Sequence, residues 1–118
     1  MEALKDKSMD FAVRIVNLHK YLDGKHIGPI SNQVLRSGTA VGALYSEAEH
    51  AESRLDFVHK LAIAQKECNE TLYWLELMNK TGYISFKEYE SIKEDAEEIL
   101  KLLTASIKTV KQKLTTNH

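Results

Sequence analysis

The chain has 118 residues, 43% of them hydrophobic and 28% charged, with a formal net charge of -1. That is the size and balance of one ordinary globular domain, long enough to close a core without a metal or a disulfide. A net charge so near zero excludes a strongly basic nucleic-acid binder on composition, though it leaves room for a local basic patch.

Five glycines and one proline leave long uninterrupted runs, which favours helix. The first helix is expected over about 3–22, with Leu4, Phe11, Ile15, Leu18 and Leu22 on one face. Asp23-Gly24 is its stop signal, with the glycine in a left-handed position. Lys25 to Pro29 reads as a loop, and Ser31 or Asn32 as the cap of a second helix over 31–50. Its stripe is Val34, Leu35, Val41, Leu44, Tyr45 and Ala48. The middle is unusual, because Gly38 and Gly42 stand four apart, making a ridge of small residues on one face. Glycine inside a helix costs roughly 1 kcal/mol against alanine, so a close neighbour is expected there. That neighbour is either another helix of the same chain or another subunit.

The third helix is expected over 53–79, with Phe57, Leu61, Ala64, Cys68, Leu75 and Met78 at steps of three, four or seven. Ser53 precedes Asp56 by three residues in a capping-box-like start. Whether a true break or only a kink separates the second and third helices is open at this level. Asn79 or Gly82 ends the third helix, and Ser85 with Glu88 opens a fourth over 86–114. Its stripe is Tyr89, Ile92, Ala96, Ile99, Leu103, Val110 and Leu114, with Leu100, Leu102 and Ile107 beside it as apparent excess. Acids fill its first half and lysines its second, the order that suits the helix dipole. The fold class is all-α, an antiparallel up-down-up-down four-helix bundle in a single domain of residues 1–118.

Few residues suggest chemistry. Glu47-x-x-His50 has the spacing of one half of a carboxylate-bridged di-metal site, but only one copy exists. Cys68, the sole cysteine, excludes an intrachain disulfide and sits in the apolar stripe without a histidine at helical spacing. There is no phosphate-binding glycine loop. No catalytic residue, metal ligand or cofactor is expected, and the protein is read as a non-enzyme. Met1 to Lys20 is too charged for an export signal, and no run approaches the ~20 apolar residues of a membrane span. A cytoplasmic protein without a membrane partner is the expectation.

Two surfaces remain as binding candidates. Asp56 and Lys60 stand in favourable acid-then-base order, and Lys60, Glu67 and Trp74 recur every seven residues on one face. With Arg36, Gly38 and Gly42 they are the candidate subunit interface, against the plainer reading of a solvated, salt-bridged face. Trp74 needs an acceptor for its indole N–H. Lys108, Lys111 and Lys113 are the one acid-free basic cluster and the candidate nucleic-acid site, against the plainer reading of a dipole-matched helix end. Repeated around a ring, they would form a positive rim.

The stretch Leu35-Arg36-Ser37-Gly38-Thr39, Val41-Gly42-Ala43 and Glu47-Ala48 leads into Glu52-Ser53-Arg54, Asp56-Phe57, Lys60-Leu61, Lys66-Glu67, Asn69-Glu70-Thr71 and Tyr73-Trp74-Leu75, then Gly82-Tyr83-Ile84. Together these resemble the four-helix bundle proteins encoded in intervening sequences of bacterial 23S ribosomal RNA genes. The resemblance implies a left-handed bundle assembled as a homopentamer. A related protein, the accessory variability determinant of diversity-generating retroelements, works with a reverse transcriptase and nucleic acid. The implied partners are further copies of the chain, and RNA or an RNA-handling protein. The implied role is an assembly or adaptor platform, with direct RNA or DNA binding as the alternative.

Overall fold

The three links between helices are each set by a local backbone event. In a computed structural model that describes residues 2–116, α1 (Glu2–Leu22), α2 (Gly28–Glu49), α3 (Arg54–Lys80) and α4 (Phe86–Thr116) follow one another. After α1, Gly24 takes φ +80°, the left-handed conformation that glycine adopts without strain. After α3, Thr81 caps the helix and Gly82 takes φ +85°. The Tyr83 N–H then donates to the Met78 carbonyl at 2.9 Å and the Gly82 N–H to Asn79 at 3.1 Å. These are the two bonds of a Schellman motif, so Gly82 rather than Asn79 makes the turn. Asn79 serves beside it, its side-chain amide donating to the Ile84 carbonyl at 3.1 Å.

The second helix starts earlier than expected. It begins at Gly28, with Ile27 as cap and Pro29 in the first turn, and the Ser31 N–H already donates to the Ile27 carbonyl at 2.8 Å. Proline is favourable there because its missing N–H would have had no helical partner and its φ is already near the helical value. Ile27 is itself buried, which ties the helix start to the core. Between α2 and α3 the chain breaks rather than kinks: His50 caps α2, and the Ser53 hydroxyl accepts from the Asp56 N–H at 3.0 Å to open α3. At the head of α4 the Ser85 hydroxyl accepts from the Glu88 N–H at 3.1 Å.

Each helix packs against its two neighbours in the order α1–α2–α3–α4–α1, and among the described residues no Cα of one helix comes within 8 Å of a Cα of the helix diagonal to it. With links this short the helices alternate in direction, and the molecule is a rod of 54 × 22 × 20 Å. It is the all-α four-helix bundle read from the sequence. The core runs its whole length, through Phe11 and Ile15 of α1, Val41 of α2, Leu61 and Leu75 of α3, and Ile92 and Leu103 of α4. Two core assignments shift. In α3 the buried stripe steps in threes and fours from Val58 through Leu61, so Val58 is inside and Phe57 only half-buried. In α4 Ile107 is buried, while Val110 and Leu114 only flank the core. Leu100 and Leu102 pack against the same core, so the apparent apolar excess of α4 is largely consumed inside the chain.

Candidate subunit-interface site

The α2–α3 seam carries most of the predicted interface residues, and it holds them by charge. Arg36 on α2 donates to Glu67 on α3 at 2.8 Å and also to Glu70 one turn on. Gln33, one turn before Arg36, accepts a further bond from its Nε at 3.2 Å. Glu70 also accepts the Trp74 indole N–H at 3.0 Å, which answers the demand that the tryptophan made on the sequence. The Trp74 bond first, and the Arg36 guanidinium with it, hold the Glu70 carboxyl below the usual carboxylate range; the two carboxylates in turn raise Arg36. Tyr73 stands edge-on to Trp74 with ring centres 5.1 Å apart and is itself largely exposed.

Beneath this layer lies a polar pair that periodicity missed. Ser37 and Thr71 are both buried, with hydroxyls 2.8 Å apart. Thr71 Oγ1 also lies 2.8 Å from the Glu67 carbonyl, so Thr71 donates to Glu67 and accepts from Ser37. The signal in the sequence is that the second helix's stripe skips from Leu35 to Val41, leaving Ser37 and Gly38 where the helical period calls for buried residues.

Asp56 and Lys60 do not pair with each other as the four-residue spacing suggested. Asp56 is engaged at the helix start, its carboxylate accepting from the Glu52 N–H at 3.3 Å. Lys60 turns to Glu47 on α2, at 3.4 Å. Glu47 therefore serves as the ion-pair partner of Lys60, and His50 as the exposed cap of α2. Among the described residues no group of three or more His, Cys, Asp or Glu is placed to hold a metal ion. Cys68 is fully buried with its thiol 3.4 Å from the Ala96 carbonyl, and burial pushes its pKa up to about 12. It stays a thiol at neutral pH and is no nucleophile.

The close neighbour of the glycine ridge is α1 of the same chain. A Cβ on Gly38 would lie 2.8 Å from Ile15 Cγ1, and one on Gly42 would lie 3.2 Å from the Ser8 carbonyl oxygen. Gly38 is buried by this contact and offers no surface to another subunit. Gly42 is half-buried and lines an apolar groove of about 470 Å³ between α1 and α2, with Met9, Ala12, Thr39 and Ala43.

The C-terminal lysines divide. Lys108 and Lys111 are exposed and line a shallow depression of about 380 Å³ with Gln65 and Thr104, which are joined by a 2.9 Å hydrogen bond. Lys113 projects roughly 140–160° around the helix from those two, since each residue turns by about 100°. The expected three-lysine cluster is a pair plus a lysine on another face.

Residues 3–105 match the model of the 23S rRNA-intervening sequence protein family. The chain belongs to that family. Among solved structures it is similar to a protein with unknown function from the S23 ribosomal protein family of Bacteroides thetaiotaomicron, at 57% identity and a TM-score of 0.87. The match covers 89% of this chain and 98% of that one. No curated protein matches it. The likeness to that structure extends over the four-helix fold. No helix among the described residues is long and apolar enough to cross a membrane.

Proposed function

We propose that this 23S rRNA-intervening sequence protein is a non-enzymatic subunit of a homo-oligomeric ring, a homopentamer, that serves as an assembly platform for RNA or an RNA-handling protein in the bacterial cytoplasm. One observation carries the reading. After the core is closed, large apolar side chains remain outside on separate faces: Met9 is 64% exposed, Leu55 69% and Tyr73 60%. Burying such surface between copies stabilises by roughly 25 cal/mol per Å², before the cost of association is subtracted. The ordered Arg36–Glu67–Glu70–Trp74 layer supports the reading, because its polar groups are pre-positioned and Trp74 is already half-covered.

The test is the mass of the native assembly by light scattering, with and without bulk cellular RNA, at low and moderate salt. A ring whose mass rises with RNA only at low salt supports an electrostatic RNA platform. A ring indifferent to RNA directs the search to protein partners, and a monomer at high concentration removes the ring. The second reading, direct nucleic-acid binding, is favoured by the Lys108–Lys111 depression beside Gln65 and Thr104. It predicts affinity that falls steeply with salt. Replacing both lysines, or all three with Lys113, by glutamate abolishes the binding if this reading holds; unchanged binding removes the site.

A further inference from the structure

The groove between α1 and α2 lies at the end of the bundle where α1 starts and α2 stops. Its lining includes the small residues Ala12, Gly42 and Ala43 and the exposed side chain of Met9. Val13, one turn along α1, is 53% exposed and extends the apolar surface. Lys5, Asp6 and Glu49 stand at the rim, and none of them forms an ion pair among the described residues. An apolar groove with unpaired charges at its edge is shaped for a projecting apolar side chain that carries opposite charges beside it.

The chain displays such a projection itself. Leu55, in the first turn of α3, is 69% exposed. Arg54 precedes it and His59 follows one turn on, both exposed, with the acid Glu52 just before. Arg54 makes no ion pair among the described residues. Height along the rod also matches. The helix α2 ends at Glu49 and the antiparallel α3 begins at Arg54, so Leu55 and the groove occupy the same end. Rotation about an axis parallel to the rod keeps height unchanged, so neighbouring copies in a ring bring these two features level.

We propose that Leu55 of one subunit seats in the α1–α2 groove of a second copy of this chain, with Arg54 meeting Asp6 and Lys5 meeting Glu52 across the contact. The proposal rests on the ring reading above. Made once per pair of copies, the contact is head-to-tail, and it builds a ring where its rotation closes.

The test is the double variant Met9→Cys/Leu55→Cys, oxidised and run under denaturing, non-reducing conditions, beside light scattering of the unmodified protein. A bridge inside one chain is excluded, because no α1 Cα among the described residues comes within 8 Å of one in α3. A disulfide needs its two Cα atoms within about 7 Å. Cys68 is fully buried and does not compete. The expected result is a ladder of covalent species up to the full ring, with a mixture of the two single variants giving dimers only. Arg54→Asp weakens assembly at least tenfold, and Arg54→Asp/Asp6→Arg restores it. If the unmodified protein forms a ring but the double variant yields only monomers, or Leu55→Cys bridges to itself, this contact is wrong and the ring stands. If reversal of Arg54 leaves assembly unchanged, the charge pairing is wrong. If the unmodified protein is monomeric, both readings fall.

Discussion

Gly38→Ala puts two opposed effects on one methyl group. In an exposed helix interior the change stabilises by roughly 1 kcal/mol, because alanine loses less backbone entropy than glycine. Here the new Cβ would lie 2.8 Å from Ile15 Cγ1, 2.9 Å from Cγ2 and 3.3 Å from Cβ. Ile15 is fully buried and β-branched, so a rotation that clears one branch drives the other inward. Overpacking of this kind costs about 1–3 kcal/mol. The net expectation is a loss of about 0–2 kcal/mol. The sharper quantity is the coupling between the two positions. Ile15→Ala alone leaves a cavity and costs about 2–5 kcal/mol. The double variant Ile15→Ala/Gly38→Ala relieves the clash and should be more stable than the sum of the singles by about 1–3 kcal/mol. Urea unfolding followed by helical circular dichroism measures all four proteins. Protomer concentration must be the same throughout, because assembly contributes to apparent stability. A Gly38→Ala protein more stable than its parent by the full helix-propensity gain, with no coupling to Ile15, would refute the close-packing argument.

Three other outcomes follow from the same contacts. Thr71→Val keeps the shape but leaves the buried Ser37 hydroxyl without its acceptor, and should cost about 1–3 kcal/mol; adding Ser37→Ala should recover part of that loss in the same unfolding assay. Cys68 should resist a thiol reagent in the folded protein at pH 8 and react once it is unfolded. Its folded pKa lies at about 12 and an ordinary thiol near 8.5, so above about pH 8.5 the unfolded chain sheds a proton that the folded chain keeps. Stability therefore falls with rising pH in that window, by up to roughly 1.4 kcal/mol per pH unit from this group, and Cys68→Ala should remove that part of the slope. Trp74 emission should titrate with Glu70, with a midpoint below the ordinary carboxylate value of about 4.3. In Arg36→Gln the midpoint should move up; an unmoved midpoint would detach Arg36 from the network.

Legibility in the sequence followed how local each determinant is. The capping serines, Ser53 and Ser85, act within three residues of themselves, and both were found where the pattern put them. The start of α2 was misplaced because Ser31 and Asn32 look like caps, whereas buried Ile27 and the preset backbone of Pro29 begin the helix three residues sooner. Lys60 was misassigned because helical spacing sees only partners on its own helix, and Glu47 sits across a seam. The glycine ridge was visible, but not which helix it receives. Leu55 and Met9 were silent, since an apolar residue off the stripe has meaning only when the bundle shows what stands beside it.

By itself the sequence determined the four helices, most of their stripes and their family, because helix periodicity, caps and glycine turns are properties of neighbouring residues. The tertiary structure alone decided that Gly38 receives Ile15, that Arg36 ties Glu67 to the Trp74–Glu70 pair, that Lys113 parts from Lys108 and Lys111, and that the α1–α2 groove lies at the height of Leu55. Those facts depend on how far each helix is rotated about its own axis and slid along its neighbours. Rotation and slide are set by packing every helix at once, a sum over contacts between residues far apart in the chain.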